Sequence, residues 1–374
     1  VKDEFAAFRI FATKRLNATA YDHRQDPSGL FQVSLQGIHQ QFSFARKTRN
    51  AAGQPFRLVS GFIDIYEPNA FAELYDGSYY LGMHSALFVA VHEFALFCFT
   101  QRNFFPEVGS SSKEKSPRPA DQHAPGIWLL HHTGQGRQVD HSHQDTLTPR
   151  CDVRYATAVY LGLLMARFVW LHELSHAMNG HVDFVQKRGL AVRLNEVADR
   201  TMAASFVKSG FSVRHDLTLL QSIELEADQS ALNAALNIQL GNMENIEGIR
   251  ALDEKVRLKL VLFGAYAMTW LFEEFQSFMD AKNGPSHPAP YLRLQHMIGV
   301  VEEKLVNSIP SLDDVHLDVL RAFEAIRKAV PEIYRDEDLH GFRHDPNLIA
   351  GLNDLRSVMQ EFHPQWSRHE FSQP

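Results

Sequence analysis

Only two cysteines, Cys98 and Cys151, occur in the 374 residues. A disulfide framework is therefore excluded, and the pair suits a reducing compartment. Basic excess is missing as well. Thirty-seven Lys and Arg against 44 Asp and Glu leave a net charge of −7, with no long basic run. That argues against nucleic acid as the main partner. Long apolar runs are also lacking. The two candidates are "YATAVYLGLLMARFVWL" (155–171), interrupted by Arg167, and "LVLFGAYAMTWLF" (260–272), bounded by Lys259 and Glu273. Both fall short of the roughly 20 residues a membrane span needs, so each is expected as a buried core helix and no integral span is expected. The opening "VKDEFAAFRIFATKRL" lacks the apolar centre and small-residue cleavage site of a secretory signal. Cytoplasmic residence is the resulting expectation, with the periplasm as the alternative.

What the chain does have is enough apolar material, 45% of its residues, to bury a large core. Residues 56–66, "FRLVSGFIDIY", and 77–84, "GSYYLGMH", read as strands, the second introduced by the turn-forming Asp76-Gly77. Helical signals cover 85–101, 153–178 up to the stop at Asn179-Gly180, about 192–208, 215–240 closed by Gly241, and about 252–281. Two or three amphipathic helices are expected in the tail. Between the first two of these helices, residues 102–150 form a breaker-rich, histidine-dense excursion. The fold class expected is α+β, mostly helical, with a small sheet. Residues 1–55 read as an N-terminal extension, 56–310 as one catalytic domain carrying the inserted loop, and 311–374 as a C-terminal helical extension.

The chemistry is concentrated in "HELSH", 172–176. Residues four apart project from the same face of a helix, so His172 and His176 can offer two imidazole nitrogens to one cation. Zinc accepts nitrogen and carboxylate ligands and keeps one position open in catalytic sites. Glu173 can then serve as a general base toward a water there. A third ligand is available in "SIELEADQSALNAAL". Glu224 completes a two-histidine, one-glutamate set, and Asp228, one turn later, can accept the free ring N–H of a ligand histidine. Glu226 reads as the solvent-facing acid of that helix. One zinc ion per chain is the expected cofactor.

With these residues in place, the chain resembles the gluzincin metallopeptidases, whose signature is an HExxH helix followed by a helix bearing ExxxD. "PNAFAELYDGSYYLGMHSAL" (68–87) is similar to the Asn-Ala-Phe segment and edge strand of the HtpX-like and CAAX-prenyl endopeptidase family. "SHPAPYLRL" (286–294) is similar to its His-Pro…Arg motif, with His287 and Arg293 six apart. His181, five residues after His176, matches a further histidine of that family. The resemblance covers about 68–100 and 153–300 and implies a zincin-like core, a soluble minigluzincin, and zinc-dependent hydrolysis of peptide bonds. It implies that His287 and Arg293 help stabilise the oxyanion as catalytic residues. It further implies that an extended substrate adds to an edge strand at Tyr79, Tyr80, Leu81 and Gly82. The Lit-type phage-exclusion peptidases are a second group with similar helices.

Elsewhere, His92-Glu93 begins like the motif, but Leu96 stands where a second ligand is needed, so His92 reads as a core histidine. The loop histidines His123, His131, His132, His141 and His143 read as a flexible segment or, less simply, a second metal site. His340, His344, His363 and His369 read as surface residues, and His215 as a helix-capping or cleft residue. The rival function is a catalytically silent zinc-binding sensor or scaffold of the same fold, beside which a metal-free helical interaction protein also stands.

Overall fold

The computed structural model describes residues 4–50, 53–65, 67–114, 147–189, 194–195, 213–279, 290–308, 312–330, 346–362 and 369–371. The architecture is α+β and mostly helical. A five-stranded mixed sheet runs in the order β1-β3-β5-β4-β6, with β1 Ala20–Tyr21, β3 Leu58–Ile63, β4 Ala70–Tyr75, β5 Ser78–His84 and β6 Leu194–Asn195. A separate ribbon pairs β2 Thr48–Asn50 with β7 His369–Phe371. Among the described residues, and besides the single turn Glu247–Arg250, the α-helices are α1 Glu4–Phe11, α2 Leu30–Ala45, α3 Ser85–Thr100, α4 Asp152–Met178, α5 His181–Lys187, α6 Val213–Leu240, α7 Glu254–Met279, α8 Pro290–Ser308, α9 Leu312–Ala329 and α10 Pro346–Phe362.

Strand alternation divides the sheet between two cores. Leu58, Phe62, Ala70, Ala72, Tyr79, Leu81 and Met83 face the main helical core. Ile63 and Phe71 turn to the opposite face, where Phe8 and Phe11 of α1 cover them. On the main side Phe62, Phe88 and Trp170 form an aromatic knot, with Phe62 5.3 Å from Phe88 and 5.4 Å from Trp170 by ring centroids. Trp170 lies two residues before His172, so this knot seats the motif helix on the sheet. From Leu161 to Ala177 every residue of α4 is buried. A helix apolar all round is a core helix, as expected from its sequence, and no helix among the described residues is long and apolar enough to cross a membrane.

The charge inside α4 is neutralised within the core. Arg167 donates to both oxygens of Glu244 at 2.6 and 2.9 Å. Glu244 also accepts from Gln239 Nε2 and Ile246 N. Arg154 donates to the carbonyls of Phe99, Gln101, Phe104, Phe105 and Val108, which ties the chain leaving α3 to the start of α4.

Two expectations need correction. The strand at 78–84 is not an edge. β5 sits between β3, parallel from Leu58↔Tyr79 to Ile63↔His84, and β4, antiparallel from Ala70↔Met83 to Tyr75↔Ser78. Both of its hydrogen-bonding sides are taken, so no peptide can add there. The Asp76-Gly77 turn, with φ of 48° and 69°, closes a tight hairpin whose twist suits the paired strands, and this brings β4 alongside. Second, Leu194–Asn195 is a strand on β4 rather than part of a helix; the rest of the helix expected over 192–208 lies outside the described residues. The segments flanking 56–310 pack onto this body. β1 pairs with β3, Phe42 of α2 packs edge-on against Trp170, and Leu352 and Leu355 of α10 pack against Leu225 of α6.

Candidate metal centre

Two buried helices build the centre. α4 supplies His172 and His176, one turn apart, and α6 supplies Glu224 and Asp228, also one turn apart. His172 Nε2 lies 3.0 Å from His176 Nε2 and 3.2 Å from Glu224 Oε2, and His176 Nε2 lies 3.5 Å from Glu224 Oε1. All three side chains are buried, and their donor atoms lie within 4.8 Å of one another. Ligands about 2.0–2.1 Å from a tetrahedral ion sit about 3.3 Å apart, so the triangle has the dimensions of three zinc ligands. The donor set fits as well: two neutral imidazoles and a carboxylate, converging without a cation among them, repel unless a proton or a metal comes between.

Protonation favours the metal. Burial pushes the His176 imidazole down to about 4, against the upward pull of Glu224, so a lone pair is available at neutral pH. His172 is oriented from behind. Its Nδ1 lies 3.0 Å from Asp228 Oδ1, so a buried negative charge beside that nitrogen favours the proton there and leaves Nε2 for the centre. Burial alone would raise the Asp228 carboxyl, but the Arg293 guanidinium, followed by His172, holds it well below the usual carboxylate range.

Arg293 itself is a correction. Expected at the oxyanion, it instead donates from Nε to Asp228 Oδ2 and from Nη2 to Oδ1, both at 2.7 Å, with both side chains buried. Its fork is spent on the far side of His172 from the Nε2 triangle, so it braces the carboxylate beside His172. His287 lies outside the described residues. Tyr79, Tyr80, Leu81 and Gly82 also differ from the substrate role expected of them. Tyr79 donates its hydroxyl to Asp183 Oδ2 at 2.6 Å, and burial, reinforced by Asp183, raises that hydroxyl well above its ordinary range. Tyr80 stacks on Phe11 with centroids 4.0 Å apart. Leu81 is core. A Cβ on Gly82 would come within 2.2 Å of Phe71 Cζ, so glycine is there to admit a cross-strand ring.

Glu173 is buried on the same turn of α4 as His172 and His176. Glu226, expected in solvent, is buried too, with Oε2 3.5 Å from His181 Nε2. The reason is that α6 is enclosed on every side from Ser222 to Asp228, where a single apolar stripe would have left one face wet. His181 Nδ1 in turn lies 3.1 Å from His176 Nδ1. That contact went unread in the sequence, although the extra histidine five residues on was its one visible signal.

His92 is the core histidine expected, its Nδ1 donating to Phe88 O at 2.8 Å. The loop histidines His123, His131, His132, His141 and His143, together with His340, His344 and His363, lie outside the described residues. For His215 and His369 only the backbone is described, in α6 and β7. No protein-family model, curated protein or solved structure matches this chain, so the reading of the centre rests on its geometry.

Proposed function

We propose that the chain is a zinc-dependent endopeptidase of gluzincin type, acting on peptide or protein substrates. The observation that carries this reading is the convergence of His172, His176 and Glu224 with a glutamate, Glu173, next to the first ligand in the chain. Bound zinc supplies a Lewis acid that polarises a carbonyl and makes water a nucleophile near neutral pH. His172 and His176 present neutral Nε2 lone pairs, and Glu224 supplies the anionic donor. Asp228, braced by Arg293, keeps His172 in its productive tautomer. Glu173 takes the proton of the attacking water and returns it to the leaving amine, a role that contributes about 10²–10⁴-fold in known cases. The resemblance assigns the oxyanion contact to His287. Both cysteines are free and buried, which supports residence in a reducing compartment such as the cytoplasm.

The test is Glu173→Gln assayed on a quenched-fluorescent peptide library. Zinc content should stay at the wild-type level while hydrolysis falls by about 100-fold or more. Hydrolysis unchanged in the variant refutes the assignment of Glu173. A wild-type protein that holds zinc yet cleaves nothing in the library turns the reading to a silent zinc-binding scaffold.

A further inference from the structure

The two imidazole ligands are backed by different chemistry. Behind His172 stands a carboxylate whose charge Arg293 already neutralises. Behind His176 stands another imidazole, His181, with the carboxylate of Glu226 one ring further out. From this geometry we infer that His181, polarised by Glu226, is a positioning residue that fixes the tautomer and orientation of His176 and so sets the affinity of the centre for its metal. The inference rests on the zinc reading above.

The argument runs through proton positions. A neutral imidazole that gives its Nε2 lone pair to a cation carries its proton on Nδ1. His176 must therefore donate from Nδ1, and the atom facing it at 3.1 Å is His181 Nδ1. To accept, His181 must keep its own proton on Nε2, which lies 3.5 Å from Glu226 Oε2, a charge contact rather than a hydrogen bond. A carboxylate there favours that tautomer over the other. Once a cation occupies the triangle, the hydrogen bond between the two rings runs from His176 to His181, and the negative charge of Glu226 beyond it favours the tautomer His181 needs.

The surrounding structure holds His181 in place. It opens α5 directly after Gly180, whose φ of 81° lets the chain reverse at the end of α4, so that the new ring folds back on the old one. That conformation strains any residue with a Cβ. The short helix is then fastened to the sheet hairpin at two points, Tyr79 to Asp183 and Gln186 Nε2 to Leu74 O at 3.1 Å. His181 is fully buried.

The test measures metal affinity rather than turnover. Zinc dissociation constants are taken by competition with a chromophoric chelator, and the cobalt-substituted protein reports ligand geometry through its d–d spectrum. His181→Phe keeps a ring and loses the acceptor, and affinity should fall about 10–100-fold, the usual loss when the partner of a metal-bound histidine is removed. His181→Gln restores a carbonyl acceptor and should recover most of that loss. Independently, Glu226→Leu should weaken zinc binding, whereas Glu226→Gln, which keeps an acceptor oxygen, should weaken it less. Circular dichroism of the metal-free proteins establishes that each is folded. Zinc bound as tightly by folded His181→Phe as by wild type overturns the inference. So do equal losses in His181→Phe and His181→Gln, because the ring would then act by packing alone. If His181→Phe does not fold, equal affinities in the two Glu226 variants overturn it. A wild-type chain that takes up no zinc removes the zinc reading itself, an outcome distinct from all of these.

Discussion

Replacing Arg293 by Met is the most informative single perturbation of the fold around the centre. The guanidinium donates two charge-assisted hydrogen bonds, both at 2.7 Å, to a carboxylate that is 0% exposed and also holds His172. Methionine roughly fills the stem's volume but strands the anion. Breaking a buried ion pair by removing one partner costs about 3–5 kcal/mol, against a total stability of roughly 5–15 kcal/mol. The Asp228 carboxyl can escape only by taking up a proton, and then it no longer polarises His172. The assay is urea denaturation of metal-free protein at pH 7, with wild type, Arg293→Met, Asp228→Asn and the double variant. The single Arg293→Met change should lose about 3–5 kcal/mol, and the double variant should recover at least half, since it removes the uncompensated charge. The sign with pH follows from the depressed carboxyl. In wild type its stabilisation is complete above the ordinary value of 3.8 and is lost only as pH falls below it, whereas in Arg293→Met burial pushes the stranded carboxyl above that value, so the deficit should shrink as pH falls from about 8 toward 5. A loss below about 1 kcal/mol, or a double variant no better than the single one, would refute the claim that Arg293 neutralises Asp228.

Gly162→Ala should destabilise despite alanine's advantage of about 1 kcal/mol within a helix, because the new Cβ would come within 2.6 Å of the His92 ring. Overpacking of that kind costs about 1–3 kcal/mol, and thermal denaturation should show the loss relieved in a Gly162→Ala, His92→Ala pair. His92 itself predicts a pH effect. Burial pushes it down from 6.5 to about 4, partly offset by its hydrogen bond to Phe88 O. Between those values the unfolded chain binds the extra proton, so stability falls by up to about 3 kcal/mol on acidification through that window. Buried His176 and His296 share that window, so His92→Phe should reduce, by about one proton's share, the slope measured by denaturation at successive pH values, and an unchanged slope would contradict the assignment. Glu114 accepts from Arg150 N and Cys151 N at 2.9–3.1 Å, just ahead of α4. Glu114→Ala should therefore cost about 1–3 kcal/mol in denaturation experiments by leaving those donors unpaired.

The parts of the fold legible in the sequence are those fixed by local pattern. The apolar, nearly unbroken stretch before His172 reads as a buried helix, and α4 is one. The spacing of Glu224 and Asp228 within an apolar run reads as a ligand and its support, and both meet His172. What stayed hidden depends on which distant segment arrives alongside. Whether Tyr79–Gly82 forms an edge or a centre is decided by β4 folding back through Asp76-Gly77, and alternation within a strand says nothing of that. Arg293 is expected at the oxyanion from the resemblance of its motif until its nearest carboxylate is known, and a long flexible side chain does not announce its partner. Glu226 reads as solvated on a one-sided helix, but enclosure by α4, α8 and α10 is a property of the packed assembly.

The central claim is that the Nε2 atoms of His172 and His176 and the carboxylate of Glu224 hold a single divalent ion. Its most direct test is elemental analysis by inductively coupled plasma mass spectrometry on protein purified without added metal, wild type beside Glu224→Ala and His176→Ala. The account predicts close to one zinc per wild-type chain and far less in either variant. Wild type free of zinc even after incubation with it, or variants that retain as much as wild type, would contradict it.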